Sequence, residues 1–224
     1  MSKPRQRTAP GASREKLLEA AIDLFGMRGF DGVSTREIAA RAKVNISGIA
    51  YQFGGKMELY RACTEHIAAA VRARLVDGAL ADGIPPESLT REIAVKRLHA
   101  IVSRMARFLL AAPELDRFAR IVVREQMDPT PAFETLFSNI FEPMHRRICL
   151  LWAAATGQDA ESEAVKLATF AVVGQIIVFR IARAGTLRRL GWKAIGPDEL
   201  AKIESLLRRS LDSALARAVH GETQ

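Results

Sequence analysis

Residues Ser34 to Phe53 read STREIAARAKVNISGIAYQF, and this stretch contains the start signals of two short helices. Ser34 is a residue type that caps helix N-termini, and Glu37 three residues later completes the pattern of a capping box. Asn45 is an N-cap candidate for a second helix. Only residues 42–44 separate the two predicted helices, a spacing that is typical of a helix-turn-helix. The stretch therefore predicts a unit that offers its second helix to the major groove of DNA.

An apolar pair also marks the start of each helix. Val33 precedes the first cap and Ile38 follows that cap by four residues, which predicts a hydrophobic staple. Val44 and Ile49 repeat the same spacing around Asn45. The polar cap residues and the apolar pairs therefore predict the same two helices.

The predicted second helix presents small and polar side chains to DNA. Ile49 and Phe53 are expected to face the core, which leaves Tyr51 for a phosphate oxygen and Ile46 for a thymine methyl. Structural alternatives stay open, because Asn45 also serves as a cap and lone lysines are usually only solvated. The predicted DNA-binding residues are Ser34, Thr35, Arg36, Lys43, Asn45, Ile46, Ser47, Gly48, Tyr51 and Lys56.

The charge balance supports a polyanionic partner. The 224 residues carry 33 Lys and Arg against 25 Asp and Glu, a formal net charge of +8. The first 60 residues hold ten of those basic and six of those acidic side chains. Charge alone does not separate DNA from RNA or an anionic membrane.

Other classes of site have no sequence support. Cys63 and Cys149 lack both a disulfide framework and metal-ligand spacing. None of the four histidines lies in a catalytic or metal-binding motif. We therefore expect no enzyme activity, no cofactor and no metal.

The compartment follows from two further segments. The first thirteen residues contain no apolar run typical of a signal peptide. The most apolar stretch, Leu167 to Ile181, is shorter than the roughly 20 residues of a membrane span. We expect a cytoplasmic protein without a membrane partner.

The remaining sequence predicts an all-α protein of about nine helices, three of them in the N-terminal unit. Residues 1–12 are predicted as a flexible basic arm, residues 13–58 as the helix-turn-helix domain and residues 59–220 as a larger C-terminal domain. The first helix is expected to start at a Ser13 cap. A long helix over residues 132–156 is expected to bend at Pro143. Residues 185–196 are expected to form a basic loop.

The N-terminal residues resemble those of the TetR-type repressors. The matching segments are Phe25 with Gly29-Phe30, residues 34–39, residues 42–44, Tyr51-Gln52-Phe53, and Lys56 with Leu59. The resemblance implies a homodimer whose DNA-binding heads join C-terminal domains that enclose an effector pocket. Arg124-Glu125-Gln126-Met127 with Pro129 and Phe133, and Val173-Gly174-Gln175 further on, are similar to the CecR-type subfamily.

Two C-terminal helices are candidates for the dimer interface. The segment 167–181 is apolar nearly all round, and Gly174 in its middle would let another helix approach closely. The resemblance implies a four-helix bundle with a second subunit, while an intramolecular core is the alternative. The predicted interface residues are Gly174, Ile177, Leu200, Ile203, Leu207 and Leu211.

Candidate effector-binding residues combine aromatic groups with polar groups in apolar surroundings. Arg120 and Arg124 lie one helical turn apart and would suit an acidic effector, although a solvated or ion-paired face is the favoured interpretation. The candidates are Met105, Phe108, Arg120, Arg124, Phe133, Phe137, His145, Gln175 and Phe179.

These expectations describe a sequence-specific, ligand-released repressor that binds a palindromic duplex operator as a homodimer. Two alternatives use the same sequence features. A nonspecific DNA-coating protein would use the basic head without sequence preference. A helical interaction adaptor would have lost DNA binding, and the exposed positions expected for Ile46 and Gly48 leave that alternative open.

Overall fold

The computed structural model describes residues 10–76, 89–111, 116–219 and 221, and all regular structure in these ranges is helical. This confirms the all-α fold class. The helices are α1 Pro10–Arg28, α2 Thr35–Ala42, α3 Ser47–Phe53, α4 Lys56–Val71, α5 Arg91–Ala111, α6 Asp116–Met127, α7 Phe133–Leu136, α8 Glu142–Thr156, α9 Glu163–Ile181, α10 Arg183–Leu190 and α11 Pro197–Val219. Single π-helical turns follow α4 and α7, at Arg72–Val76 and Phe137–Phe141.

Two compact units divide the chain. The first comprises the described parts of residues 1–70 and 114–138, so it holds α1 to α3, nearly all of α4, and α6 with α7. The second comprises the described parts of residues 71–113 and 139–224, with α5 and α8 to α11. The first unit is larger than residues 13–58, because α6 and α7 belong to it. The division into domains at 13–58 and 59–220 stays a prediction.

Helix α1 is central to the first unit. It packs against α2, α3 and α6, and Leu17 and Phe25 on its apolar side are fully buried. The ring of Phe25 meets the ring of Tyr60 on α4 edge to face at 4.9 Å, and Phe30 lies 5.2 Å from the same tyrosine ring. Aromatic pairs of this kind add about 0.5–1.5 kcal/mol beyond their area burial. The aromatic cluster therefore connects α1 and the turn after it to α4.

Helix α6 joins the first unit through a close approach to α1. A Cβ atom on Gly26 would lie 3.1 Å from the carbonyl oxygen of Arg117, so only glycine fits this crossing without a shift. The Arg117 guanidinium also pairs with Glu19 and lies 3.6 Å from Asp23. Both carboxylates are on α1, so packing and charge fix the same two helices.

The start of α1 differs from the prediction. The helix begins at Pro10, so Ser13 lies inside it and is not its N-cap. Proline suits a first helical turn because the amide hydrogen that it lacks has no partner there. The Ser13 hydroxyl instead accepts a hydrogen bond of 2.7 Å from Nε2 of Gln52 on α3. Residues 10–12 of the predicted arm are therefore helical, and residues 1–9 lie outside the described residues.

In the second unit, α5, α8, α9 and α11 pack on one another. Leu98 and Val102 of α5 and Trp152 of α8 are buried in its core. Two polar contacts connect α5 with α11. Arg208 donates to the Ser103 hydroxyl at 2.9 and 3.1 Å, and Arg107 pairs with Glu204 at 2.8 Å.

The predicted loop at 185–196 is wrong in its first half, because residues 183–190 form α10. Helix α9 ends at Ile181, the single residue Ala182 separates it from α10, and Gly191 with φ +68° ends α10. Arg and Leu are good helix formers, and they outweigh the one glycine at position 185.

The predicted bend at Pro143 is displaced upstream. Pro143 lies in the first turn of α8, where its missing amide hydrogen costs no helical bond. The irregular backbone is the π turn Phe137–Phe141, directly before α8. The predicted single helix over residues 132–156 is therefore two α-helices with a π turn between them.

Helix α9 has 19 residues, and by length and composition alone it is apolar enough to cross a membrane. No other helix in the described ranges meets that criterion. One face of α9, which includes Val172 and Ile176, is buried against the second unit. Helix α9 is therefore part of the helical packing of the second unit on that face.

Candidate nucleic-acid interface and effector residues

The capping box predicted for the first helix of the stretch is present at α2. The Ser34 hydroxyl accepts from the Glu37 amide at 3.3 Å, and Oε2 of Glu37 accepts from the Ser34 amide at 2.8 Å. Oε1 of Glu37 also pairs with Arg28 at 2.8 Å. The Ser34 backbone bond, the Ser34 hydroxyl and Arg28 together lower the pKa of Glu37 to about 2. Val33 and Ile38 of the staple are both buried.

The turn between α2 and α3 depends on an unusual backbone conformation. Lys43 adopts φ +55°, and among the described residues it is the one non-glycine residue with a positive φ. This left-handed residue lets the Lys43 amide reach the Ala40 carbonyl at 3.1 Å and the Val44 amide reach the Ala39 carbonyl at 3.0 Å. The Lys43 side chain is exposed, so its ammonium is available to solvent or to a phosphate.

Asn45 bonds to the start of α3, but it lies one residue before the N-cap position that was predicted for it. Helix α3 begins at Ser47, and Ile46 occupies the N-cap position without a side-chain hydrogen bond. Oδ1 of Asn45 accepts from the amide and from the hydroxyl of Ser47, both at 3.0 Å. This is an Asx-type turn that leads into the helix. The amide group of Asn45 thus already satisfies the first backbone donor of α3.

The outward face of α3 is defined by the most exposed aromatic residue of the described chain. Tyr51 is 89% exposed, Ile46 is 46% exposed, and Ser47 is also exposed. Ile49 on the opposite face is buried. Gly48 is half-buried, at the edge of the exposed face. A Cβ on Gly48 would lie 3.3 Å from Cγ1 of Val44 and 3.7 Å from Cδ1 of Leu17, so this glycine lies close to the rest of the first unit.

The remaining predicted DNA contacts lie at the starts of α2 and α4. Arg36 is exposed and Thr35 is half-buried in the first turn of α2. Nζ of Lys56 lies 4.3 Å from the ring centroid of Phe30, a cation–π contact that fixes the lysine at the start of α4. All the predicted DNA-binding residues thus belong to the first unit. Arg14 also lies beside α3, with its guanidinium carbon 4.9 Å from the centroid of the Phe53 ring, and cation–π contacts of this kind give no local spacing signal in the sequence.

The structure places Arg120 and Arg124 on the surface of the first unit. Both are exposed, and they lie beside Gly26 of α1 and Gly29 of the turn after it. A Cβ on Gly26 would lie 3.6 Å from Cβ of Arg120, and a Cβ on Gly29 would lie 2.8 Å from Nη1 of Arg124. These contacts favour the alternative of a solvated helix face over an enclosed acidic-effector site.

Glu125, between these positions in the sequence, is fully buried and fully bonded. It accepts from the Tyr60 hydroxyl at 2.7 Å and from the amide and hydroxyl of Thr130, each at 3.1 Å. Burial and then the bond to Glu125 raise the pKa of Tyr60 far above its ordinary value. Glu125 therefore connects α4 to α6 and to the turn after it, and has a structural role.

The other candidate effector residues divide between the two units. Phe133 and Phe137 belong to the first, with ring centroids 5.9 Å apart. Met105 is buried, Phe108 and Phe179 are half-buried and Gln175 is exposed, all in the second unit.

His145 in the second unit lies in a small polar cluster. Its Nε2 lies 3.2 Å from the carbonyl oxygen of Lys166, and its Nδ1 lies 3.6 Å from Sγ of Cys149. Sγ of Cys149 is in turn 3.4 Å from Oγ1 of Thr169. The described residues contain no group of His, Cys, Asp and Glu able to hold a metal ion.

The predicted dimer residues separate into a buried set and an accessible set. Ile203, Leu207 and Leu211 of α11 are buried within the single chain, so their side chains are not available to a partner. The apolar stripe of α11 therefore packs inside the subunit. Leu200 and Ile177 are half-buried, and Gly174 is exposed. The large exposed apolar side chains of α9 are Leu167, Phe170, Val178 and Ile181.

Two protein families match the chain. Residues 17–63 match the bacterial regulatory proteins of the tetR family. Residues 94–217, more than half of the chain, match the C-terminal domain of the HTH-type transcriptional dual regulator CecR. The two matches cover α1 to the middle of α4 and α5 to α11.

Similar proteins extend over nearly the whole chain. The HTH-type transcriptional dual regulator CecR of Shigella flexneri is 29% identical over 221 residues, which is 96% of each chain. The HTH-type transcriptional repressor Rv3405c of Mycobacterium tuberculosis is 29% identical over 212 residues, which cover 90% of this chain and 86% of the repressor.

Solved structures share the fold. A putative transcriptional regulator from Pseudomonas aeruginosa PAO1 superposes with a TM-score of 0.68 at 17% identity, covering 96% of this chain and 95% of the other. AibR, solved in complex with isovaleryl coenzyme A and operator DNA, superposes with a TM-score of 0.64 at 14% identity, covering 88% and 97%.

Proposed function

Because the chain belongs to the TetR family of bacterial transcriptional regulators, in the branch with a CecR-type C-terminal domain, we propose that it is a ligand-released repressor that binds a palindromic operator as a homodimer. It is a transcriptional regulator and not an enzyme. The observation that carries the proposal is the geometry of α3, which buries Ile49 and presents Tyr51 with 89% of its surface exposed. The cytoplasm is the compartment in which such a regulator meets DNA.

We assign the DNA contacts to side chains whose hydrogen-bonding groups or charges are not already used within the fold. The Ser34 hydroxyl and the Asn45 carbonyl oxygen are already bonded within the fold. The Tyr51 hydroxyl has no partner among the described residues and suits a phosphate oxygen. Arg36 and Lys43 would add charge-assisted phosphate contacts, and each phosphate contact steepens the salt dependence of binding.

Base recognition falls to the start of α3. Ser47 would donate to or accept from a base edge, and Ile46 would contact a thymine methyl. Gly48, which faces Leu17 and Val44, contributes by letting α3 pack closely on the rest of the unit. Sequence preference would therefore combine a few direct contacts with the shape of the DNA.

The two-fold symmetry of a homodimer would match the two-fold symmetry of a palindromic operator. Two heads related by a two-fold axis would read inverted half-sites, with recognition helices about 34–36 Å apart or a multiple of that distance. The exposed apolar residues of α9 provide the surface through which the second copy would bind.

We assign the effector to the second unit. Half-buried aromatic groups such as Phe108 and Phe179 would contact its apolar part, and His145 would orient a polar group. AibR, a neighbour in fold, was solved with both isovaleryl coenzyme A and operator DNA. A ligand releases DNA only to the extent that it prefers one spacing of the two heads, and the helix that begins at Lys56 would transmit that preference.

The test is selection of operator sequences from random duplex DNA, with the purified protein at moderate salt and excess nonspecific competitor. We expect an inverted repeat, which would then serve to screen for ligands that release the protein. A folded protein that recovers no motif would contradict sequence-specific binding. Salt-sensitive binding without a motif would then identify the DNA-coating alternative, and no binding would identify the adaptor alternative.

Tyr51 provides the matched variants for that test. Tyr51→Phe removes one hydroxyl from an exposed side chain, so stability should change by less than about 0.5 kcal/mol. Operator affinity should fall about fivefold, the worth of roughly 1 kcal/mol for one hydrogen bond. Met127→Ala, a change at an 82% exposed apolar residue of α6, serves as the control that leaves binding unchanged. Equal affinities for Tyr51→Phe and the unmodified protein would exclude a phosphate contact by the hydroxyl.

A further inference from the structure

Helix α3 is short and has one apolar anchor. It spans Ser47–Phe53, and Ile49 is its buried residue. A helix of this length is not stable in water without tertiary contacts. One buried side chain holds the helix against its neighbours but restrains rotation about the helix axis only weakly. Other contacts therefore have to fix the direction in which the exposed face of α3 points.

The start of α1 supplies two such contacts. Nε2 of Gln52 donates to the hydroxyl of Ser13 at 2.7 Å, and this serine is buried. The guanidinium carbon of Arg14 lies 4.9 Å from the centroid of the Phe53 ring. Two consecutive residues of α1 thus contact the last two residues of α3. We call the four residues the α1–α3 clamp: Ser13, Arg14, Gln52 and Phe53.

The two contacts of the clamp lie on opposite sides of the anchor. Successive side chains of a helix are about 100° apart, which places Gln52 about 60° to one side of the Ile49 direction and Phe53 about 40° to the other. By the same geometry, Tyr51 and Ser47 each point about 160° away from Ile49. A contact on each side of the anchor opposes rotation in both senses, so the clamp fixes where the outward side chains point.

Gln52 has an unfavourable feature that packing alone does not explain. Its side chain is half-buried, and its Oε1 atom is buried without a hydrogen-bond partner among the described residues. A buried polar atom without a partner destabilises the folded state, whereas an apolar side chain of similar size does not. Methionine at this position would therefore serve the stability of the fold at least as well. What glutamine adds is the donor Nε2 and its bond to α1.

We infer that the α1–α3 clamp positions α3 for operator binding, and that the bond between Ser13 and Gln52 sets the direction of the Tyr51 hydroxyl. The two bonded residues are positioning residues, which act through Tyr51 and need not touch DNA themselves. The inference rests on the DNA contacts proposed above and adds that the start of α1 determines their geometry.

Replacing both partners of the bond separates orientation from stability. Ser13→Ala/Gln52→Met removes the bond together with the unpartnered buried oxygen, and alanine and methionine are both good helix formers. The midpoint of chemical unfolding should therefore stay the same or rise. Operator affinity should nevertheless fall about fivefold or more, the loss expected when the Tyr51 hydroxyl no longer reaches its phosphate.

Ser205→Ala is the matched control for the loss of a serine hydroxyl. Ser205 on α11 accepts a hydrogen bond of 2.7 Å from Arg209, the same length as the bond in the clamp, but it lies in the second unit. This variant should bind the operator as the unmodified protein does.

A double-mutant cycle with Tyr51→Phe distinguishes positioning from a structural role. In the unmodified protein, Tyr51→Phe should lower operator affinity about fivefold. In the Ser13→Ala/Gln52→Met background, the same change should lower it less than about twofold, because the hydroxyl no longer points at the phosphate. Residues that only support the fold would leave the two effects equal.

The outcomes separate this inference from the proposed function. Normal operator binding by Ser13→Ala/Gln52→Met would overturn the clamp and leave the proposed repressor intact. Weaker binding with an undiminished effect of Tyr51→Phe, or failure of the double variant to fold, would overturn it as well, because the bond would then have a structural role. No operator for the unmodified protein would contradict the proposed function and this inference together.

Discussion

Lys43 occupies the left-handed backbone region that favours glycine, with φ +55° and ψ +41°. A side chain there costs roughly 1 kcal/mol, so Lys43→Gly should raise the free energy of unfolding by about 0.5–1 kcal/mol. The same change removes a candidate phosphate contact and should reduce the slope of log affinity against log salt by about 1.

Lys43→Asn is the matched control, because asparagine tolerates this conformation and also lacks the charge. Chemical denaturation and operator titrations measure the two effects. Loss of stability in both variants would contradict the conformational argument, and an unchanged salt slope would exclude the phosphate contact.

At the scale of elements, the bond from Tyr60 to Glu125 connects α4 with α6. Tyr60→Phe would remove a donor from a buried carboxylate and should cost about 1.5–3 kcal/mol of stability, measured by urea unfolding. The raised pKa of Tyr60 gives a pH dependence with a definite sign. The folded state holds the phenol proton more tightly than the unfolded chain, so this stability is present below pH 10.0 and is lost as the pH rises above it. The matched variant Phe30→Leu should leave that alkaline loss in place, and Tyr60→Phe should remove it.

The same scale shows why some elements were predictable. The capping box at Ser34 and the staple of Val33 and Ile38 involve residues within five positions of one another, and their spacing alone determines the geometry. Helix α10 was missed because a basic segment with one glycine gives equal signals for loop and helix. The π turn before Pro143 depends on packing and has no local signature.

Sites that depend on distant partners were less predictable. The structural role of Glu125 was not predictable, because its partner Tyr60 lies 65 residues away in sequence. The stripe on α11 was assigned to a dimer interface, although Ile203 and Leu207 are buried in the single chain. An apolar stripe reports that a face is covered and not what covers it. Lys43 and Tyr51 were predictable as exposed residues, because their neighbours Val44 and Ile49 define the core face of the turn and of α3.

For the whole molecule, dimerisation and operator binding should be linked. Leu167→Glu/Ile181→Glu changes two exposed residues of α9, so the single chain should stay folded. The dimer should dissociate, and affinity for the full inverted repeat should fall at least about 100-fold while affinity for one half-site is unchanged.

Sedimentation and binding titrations on full and half operators measure these quantities. Met127→Glu introduces the same charge at an 82% exposed residue of α6 and is the control. A monomeric variant that binds the full operator normally would contradict the linkage.

The contact between Gly26 and Arg117 has a consequence for exchanging parts between relatives. The unit that carries the DNA-binding helices is assembled from two separate stretches of the chain, residues 1–70 and residues 114–138. A chimaera made with one junction after α4 would place a foreign α6 against the native α1. The foreign helix would then have to fit the close approach at Gly26, and its side chains would have to replace the pairing of Arg117 with Glu19 and Asp23. A chimaera that is to keep the operator preference of this protein therefore needs two segments of it, the first 70 residues and the segment that contains α6.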